Sequence, residues 1–295
     1  MRSFILGTDW GADCDDAVAI RVLARHVLKG EADAKLIGIN CFGEHSYHAM
    51  KVYLDMEGVP NIPVGLDTEI FPDFPWKENY QLRLASYECK ADLSNPPDAS
   101  YMYRKVIAEA QEPIEIMEVG FLGPLARLLE SQPDELSSKT GIELVKEKVN
   151  RVWIMGGKWD EEGGREFNLS VHRSACKSAS VVCDLCPVPI TFLGWEIGHN
   201  LLTGDKLKDG DILKDIIKDW GSDCGRESWD PMLVEMAIVG SPEKAGYKTV
   251  KGYATVDSET GKNYFKKDDN GAHEYVIKSY PDTYYSDIIN EIIKK

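Results

Sequence analysis

Two hydrophobic periods exchange with each other along most of this chain, and that exchange limits what it can fold into. RSFILGT, KLIGINCF, IPVGL, IEIMEVGF, RVWIMGG and PVPITFLG are short apolar runs of strand length. Between them AVAIRVLARHVLK, SYHAMKVYLDMEG, ASYMYRKVIAEAQ, GPLARLLES and SACKSASVVCDLC carry apolar residues at helical spacing, with Gly30 and Gly58 as stop signals. Alternation of this kind requires crossovers between parallel strands. The expected fold is therefore α/β: a single domain over residues 1–295, built on a mostly parallel, Rossmann-like open sheet with helices on both faces. KTVKGYATVDSETGKNYF and KKDDNGAHEYVI, with an Asn270-Gly271 turn, add a C-terminal hairpin region, and TYYSDIINEIIKK closes as a helix. Ligands of such sheets lie at the carboxyl ends of the strands, so the loops after strands are searched first.

Charge narrows the function classes. The 34 basic residues are outnumbered by 49 acidic ones, a net −15, which argues against a nucleic-acid backbone as partner. No uncharged apolar run approaches the ~18 residues of a membrane span. The opening MRSFILGTDWGADCDD lacks the apolar core and small-residue cleavage site of a signal peptide, so a cytoplasmic enzyme is expected. Seven cysteines are too few and too scattered for a disulfide framework. The pair Cys183 and Cys186 closes a helix before a strand, whereas a redox pair opens a helix after one, and no second pair has zinc spacing. They are expected to be reduced thiols.

The loop after the first strand carries Asp9, Asp13, Asp15 and Asp16, just ahead of a helix expected from Ala17. A helix N-terminus favours one or two acids. Four repel one another unless a cation lies among them, and a hard divalent ion takes carboxylate oxygens. The spacing alone leaves two readings open, a metal site or a capped helix with a solvated acidic loop. An EF-hand read from Asp13 fails, because Val18 falls on its glycine and Ala24 on its closing glutamate. The Asp-x-Asp of an aspartyl-phosphate enzyme fails at Gly11.

Four segments, taken together, point further. Thr8-Asp9-Trp-Gly-Ala-Asp13-Cys-Asp15-Asp16 continues to Ile20; Leu122-Gly-Pro-Leu-Ala126 follows; then Met155-Gly-Gly157 with Glu166-Phe-Asn168; then Ser228-Trp-Asp-Pro231. In that order they resemble the signatures of the inosine-uridine-type nucleoside hydrolase family over nearly the whole chain. The resemblance implies Ca²⁺-dependent hydrolysis of the N-glycosidic bond of a ribonucleoside, with Ca²⁺ at the bottom of the pocket. It implies Asp9, Asp16, Asp230 and the backbone carbonyl of Leu122 as metal ligands. Asp15 is the implied general base, with Asp13 in reserve because this acidic loop is longer than the common form. Glu166 and Asn168 are implied ribose contacts, with Asn40 as a weaker candidate. Trp229 stands where a purine-preferring branch stacks the base, and Trp76 is a weaker candidate for the opposite side of that stack. Two departures stand out: Gly7 replaces a common aspartate, and Asp160 falls where many relatives carry asparagine. They keep open two alternatives, hydrolysis of another N-riboside and a nucleoside- or sugar-binding protein without turnover. The implied partner is a small nucleoside, and the resemblance also suggests a homo-oligomer, dimer or tetramer.

Overall fold

The computed structural model describes residues 1–41, 43–69 and 79–294. Six strands alternate with helices in the expected manner: β1 (Arg2–Thr8), β2 (Ala32–Ile39), β3 (Val64–Leu66), β4 (Ile114–Glu118), β5 (Val149–Met155) and β6 (Ile190–Leu193). After them come a short antiparallel pair, β7 (Leu202–Thr203) and β8 (Arg226–Glu227), and then β9 (Tyr247–Val256), β10 (Asn263–Lys267) and β11 (His273–Lys278). The main sheet has the order β10-β9-β11-β6-β5-β4-β1-β2-β3. From β3 to β6 every pairing is parallel.

Both faces of the sheet are covered, as parallel sheets require. Leu6, Ile37, Met117 and Trp153 pack into one apolar cluster, whereas Ile5, Leu36, Ile116 and Ile154 pack into a second on the opposite face. The order of strand addition reverses between β1 and β4: the chain leaves β1 toward β2 and β3, then returns to β4 on the other side. The carboxyl ends of these two strands therefore bound a crevice, the usual ligand position in doubly wound sheets.

Local chemistry sets the helix ends. The helix expected from Ala17 begins earlier and spans Asp15–Leu28, so Asp15 and Asp16 occupy its first turn, where the helix dipole favours them. Gly30 follows its end at φ +72°, the left-handed region that glycine enters freely. Four helices longer than a single turn had no counterpart in the sequence: Asn79–Ala85, Gly141–Lys148, Ile212–Trp220 and Asp230–Val239.

The C-terminal strands depart from two simple hairpins. β9 and β10 form one, but β11 does not pair with β10. It inserts between β9 and β6, antiparallel to the first and parallel to the second. Gly271 makes the passage possible, because a Cβ there would lie 2.1 Å from the Gly252 carbonyl oxygen. No helix among the described residues is long and apolar enough to cross a membrane.

Candidate active site

At the end of β1 the chain turns sharply, with Ala12 N–H donating to the Asp9 carbonyl at 2.8 Å and Gly11 at φ +108°. A Cβ at Gly11 would also meet Gln81 Nε2 at 2.4 Å, so the turn is closed to other residues. It aims Asp9 into the crevice beside Asp16, from the first turn of the next helix. The third carboxylate, Asp230, opens the helix Asp230–Val239. Oxygens of Asp9, Asp16 and Asp230 all lie within 4.8 Å of one another, and all three residues are buried.

Such a group is costly without a cation. Burial pushes Asp9, Asp16 and Asp230 well above the ordinary carboxylate range, and neighbouring carboxylates raise them further, Asp15 foremost for Asp9 and Asp230 and Asp9 foremost for Asp16. Thr8 Oγ1 donates to Asp16 Oδ1, but Asp16 Oδ2 is buried without any hydrogen-bond partner. An all-oxygen donor set with an orphaned carboxylate oxygen fits a hard divalent ion. The Leu122 carbonyl accepts the Ala126 amide at 2.9 Å, so only its second lone pair is free for an ion.

Asp15 and Asp13 are held differently. Asp15 Oδ2 accepts the amides of Trp229 at 3.1 Å and Asp230 at 3.2 Å. Burial, then the charge of Asp13, raises its carboxyl to about 7 against the pull of Arg226 and these amides. Asp13 instead meets the Arg226 guanidinium through both oxygens, with Nε donating to Oδ1 at 2.8 Å and Nη2 to Oδ2.

Glu166 caps the short helix Phe167–Ser170, and Asn168 lies within it. Glu166 accepts the Asn168 amide at 2.8 Å and the Gly157 amide at 3.1 Å, and burial raises it to about 7 despite those bonds. Asn168 Nδ2 donates to the Val119 and Met155 carbonyls at 3.1 and 3.3 Å, joining the loops after β4 and β5. Asn40 is fully buried and its amide is already engaged, donating to Glu118 Oε2 at 3.4 Å and accepting from Phe121 N–H at 3.1 Å. It does not line the cavity. Trp76 lies outside the described residues.

The cavity above these groups measures about 330 Å³ and is lined by Asp9, Asp13, Asp15, Glu166, Asn168, Trp229 and Asp230. The structure thus brings together acids from both ends of the chain. It also adds wall residues that the sequence reading did not name, Trp195, Trp220, Phe167 and Arg226. Trp195 follows β6 directly, so the strand-end rule alone would have found it. Arg226 had no sequence signal, since its role depends on meeting Asp13. Trp229 is fixed by Nε1 donating to the Trp195 carbonyl at 2.6 Å, and Arg226 Cζ lies 5.4 Å from its ring centroid. Glu196 accepts the Trp159 amide at 3.3 Å and does not line the cavity.

Comparison with known proteins agrees with this geometry. The chain is similar over 99% of its length to an inosine-uridine preferring nucleoside hydrolase from Bacillus anthracis, covering 99% of that chain at 15% identity and TM-score 0.69. A purine-preferring ribonucleoside hydrolase from Gardnerella vaginalis gives TM-score 0.75 at 16% identity, with 99% of this chain and 98% of that one covered. The type III effector protein XopQ, complexed with adenosine diphosphate ribose, gives 0.68 at 12% identity, with 99% and 93% covered. At these identities the likeness shows the fold. No curated protein matches the chain by sequence. The model of the inosine-uridine preferring nucleoside hydrolase family, however, matches residues 4–260, and the chain belongs to that family of ribonucleoside N-glycosidases.

Proposed function

We propose that the protein is a Ca²⁺-dependent ribonucleoside hydrolase with a preference for purine nucleosides, working in the cytoplasm. One observation carries the reading: Asp9, Asp16 and Asp230 converge at the switch of the sheet, directly beneath a nucleoside-sized cavity. Asp9, Asp16, Asp230 and the Leu122 carbonyl would hold the ion. When bound, a divalent cation acidifies the attacking water and grips the sugar diol.

The chain's own groups supply the rest. Asp15 takes the proton of the attacking water as the water oxygen bonds to C1′ and the C1′–N bond breaks, the departing base drawing its proton from solvent; both amides converge on Asp15 Oδ2, leaving Oδ1 for the proton. Asp13 is a poorer acceptor, because both of its oxygens already accept from the Arg226 guanidinium. Glu166 and Asn168, fixed by backbone bonds, orient the sugar hydroxyls. The aromatic walls of Trp229, Trp195, Trp220 and Phe167 favour a large flat base, and the purine preference named for the Gardnerella vaginalis relative is in keeping with them. A second reading, cleavage of a different N-riboside, draws on the adenosine diphosphate ribose complex named for XopQ.

The test is ribose release from inosine, adenosine, guanosine, uridine and cytidine, with Ca²⁺ and after chelation. Chelator-sensitive release that is fastest with purines is expected. Equal rates on uridine and inosine would keep the reaction and remove the purine preference. A folded, Ca²⁺-loaded protein that releases nothing from all five would favour the second reading.

A further inference from the structure

β4 ends in Glu118, a fully buried carboxylate that the proposed chemistry does not use. Its partner in register on β1 is Gly7. A Cβ on Gly7 would lie 1.8 Å from Glu118 Oε2, so the carboxyl fills the space that any side chain at position 7 would need. Gly38, next in line on β2, is bare for the same kind of reason: a Cβ there would meet the Tyr103 ring at 2.6 Å. Two glycines on adjacent strands thus make room for Glu118 and Tyr103 in the sheet's interior. Tyr103 OH donates to Glu118 Oε1 at 3.0 Å, and Asn40 Nδ2 donates to Oε2 at 3.4 Å.

Asn40 carries the connection toward the site. Its backbone amide donates to the Thr8 carbonyl at 2.8 Å, and its Oδ1 accepts the Phe121 amide at 3.1 Å. Thr8 precedes Asp9 and donates its hydroxyl to Asp16, while Phe121 precedes Leu122. The two ends of the Asn40 amide therefore face opposite demands, an acceptor toward Phe121 N–H and a donor toward Glu118. Without an acceptor at position 118, nothing on that side would hold the amide in this orientation.

We infer that Glu118 is a positioning residue: it fixes the Asn40 amide, and through the Thr8 carbonyl and the Phe121 amide it holds the ends of β1 and β4 where Asp9, Asp16 and Leu122 can meet one ion. The inference rests on the metal-dependent reading above. It also bears on the aspartate expected at position 7, since the neighbouring strand delivers a carboxyl into the same space.

Two variants separate positioning from filling. Glu118→Met keeps the volume and offers Asn40 no acceptor; Glu118→Gln keeps an oxygen for Asn40 and turns an amide toward the Tyr103 hydroxyl. Calorimetric Ca²⁺ titration should show the Met variant binding about 10–100-fold more weakly, the usual cost of losing a residue that orients ligands, and the Gln variant recovering most of that loss. In metal-free protein, hydrogen exchange at the Phe121 amide should speed up in the Met variant and return toward the parent rate in the Gln variant. Parental Ca²⁺ affinity and parental Phe121 exchange in a folded Met variant would overturn the inference. Should the Met variant not fold, Asn40→Ser cuts the same link from its other end and must show the same two losses. A parent protein that binds Ca²⁺ and releases no ribose overturns the proposed reaction alone, because the exchange measurement judges Glu118 without reference to turnover.

Discussion

Asp15 Oδ2 accepts the backbone amide of Trp229 at 3.1 Å, across 214 positions of sequence. The bond fixes the acid against the segment that delivers Asp230, so replacing it isosterically tests its chemistry more than its packing. Asp15→Asn should lower kcat by about 10²–10⁴, the usual contribution of a general base, while Ca²⁺ affinity changes little. Single-turnover ribose release beside a Ca²⁺ titration measures both. A larger loss in Asp13→Asn than in Asp15→Asn would transfer the role of base to Asp13.

On the proposed reading, Ca²⁺ held by three buried carboxylates is a stabilising ligand. At a hundredfold excess over Kd the gain by mass action is about 2.7 kcal/mol, visible as a rise in Tm over chelated protein. Asp230→Asn should abolish that rise together with activity. Without metal, the same variant should melt no lower than the parent, because it removes one of three mutually repelling buried charges. A Ca²⁺-dependent rise that survives in Asp230→Asn would remove this residue from the ligand set.

The Trp229 ring is fixed by its bond to the Trp195 carbonyl and touched by the Arg226 guanidinium. Stacking of a base on an aromatic ring is worth about 1–3 kcal/mol, so Trp229→Ala should lower kcat/KM for inosine by about 5–150-fold. Uridine, with a smaller face, should lose less. Kinetics on the two substrates give the ratio directly, and equal losses would show that the base stacks elsewhere.

His26 joins two helices that frame the site. Its Nδ1 lies 2.7 Å from Glu31 and its Nε2 2.8 Å from Glu235, which sits on the helix that Asp230 opens. Burial alone would lower its pKa, but the bonds and charges of Glu235 and Glu31 outweigh burial and raise it. A raised folded pKa adds stability that is complete below about 6.5, the unfolded value, and disappears as pH rises through the folded one. His26→Gln should therefore cost more stability near pH 6 than near pH 9, by on the order of 1 kcal/mol, since the Glu31 partner is half exposed. Urea unfolding at the two pH values checks it; an equal cost at both would mean that the imidazolium is not what binds.

The sheet was legible because strand and helix periods differ so plainly from RSFILGT to PVPITFLG. The helix Gly141–Lys148 was missed although its signal is present: Thr140 and Glu143 form a reciprocal cap, but the segment follows a polar loop and no apolar stripe draws attention to it. Asp230–Val239 was missed for the opposite reason, since its residues are apolar nearly all round and show no period.

In the site, Asp9 and Asp16 were legible as an acidic cluster, and Asp230 only through resemblance, because nothing local ties it to the first loop. The Asp13–Arg226 pair and the Glu118–Asn40 link were not legible at all. Each depends on a meeting between distant strands. Gly7 read from sequence as a loss, whereas its bareness is what admits Glu118.

The triad has a consequence for how the protein is made. Asp9 and Asp16 leave the ribosome early, and the residue that completes their cage is translated more than two hundred positions later. A nascent chain stopped short of Asp230 holds an unfinished cage, so on the proposed reading tight capture of an ion waits until residue 230 has been made. Ion uptake would then mark the moment at which the last third of the growing polypeptide docks onto its first.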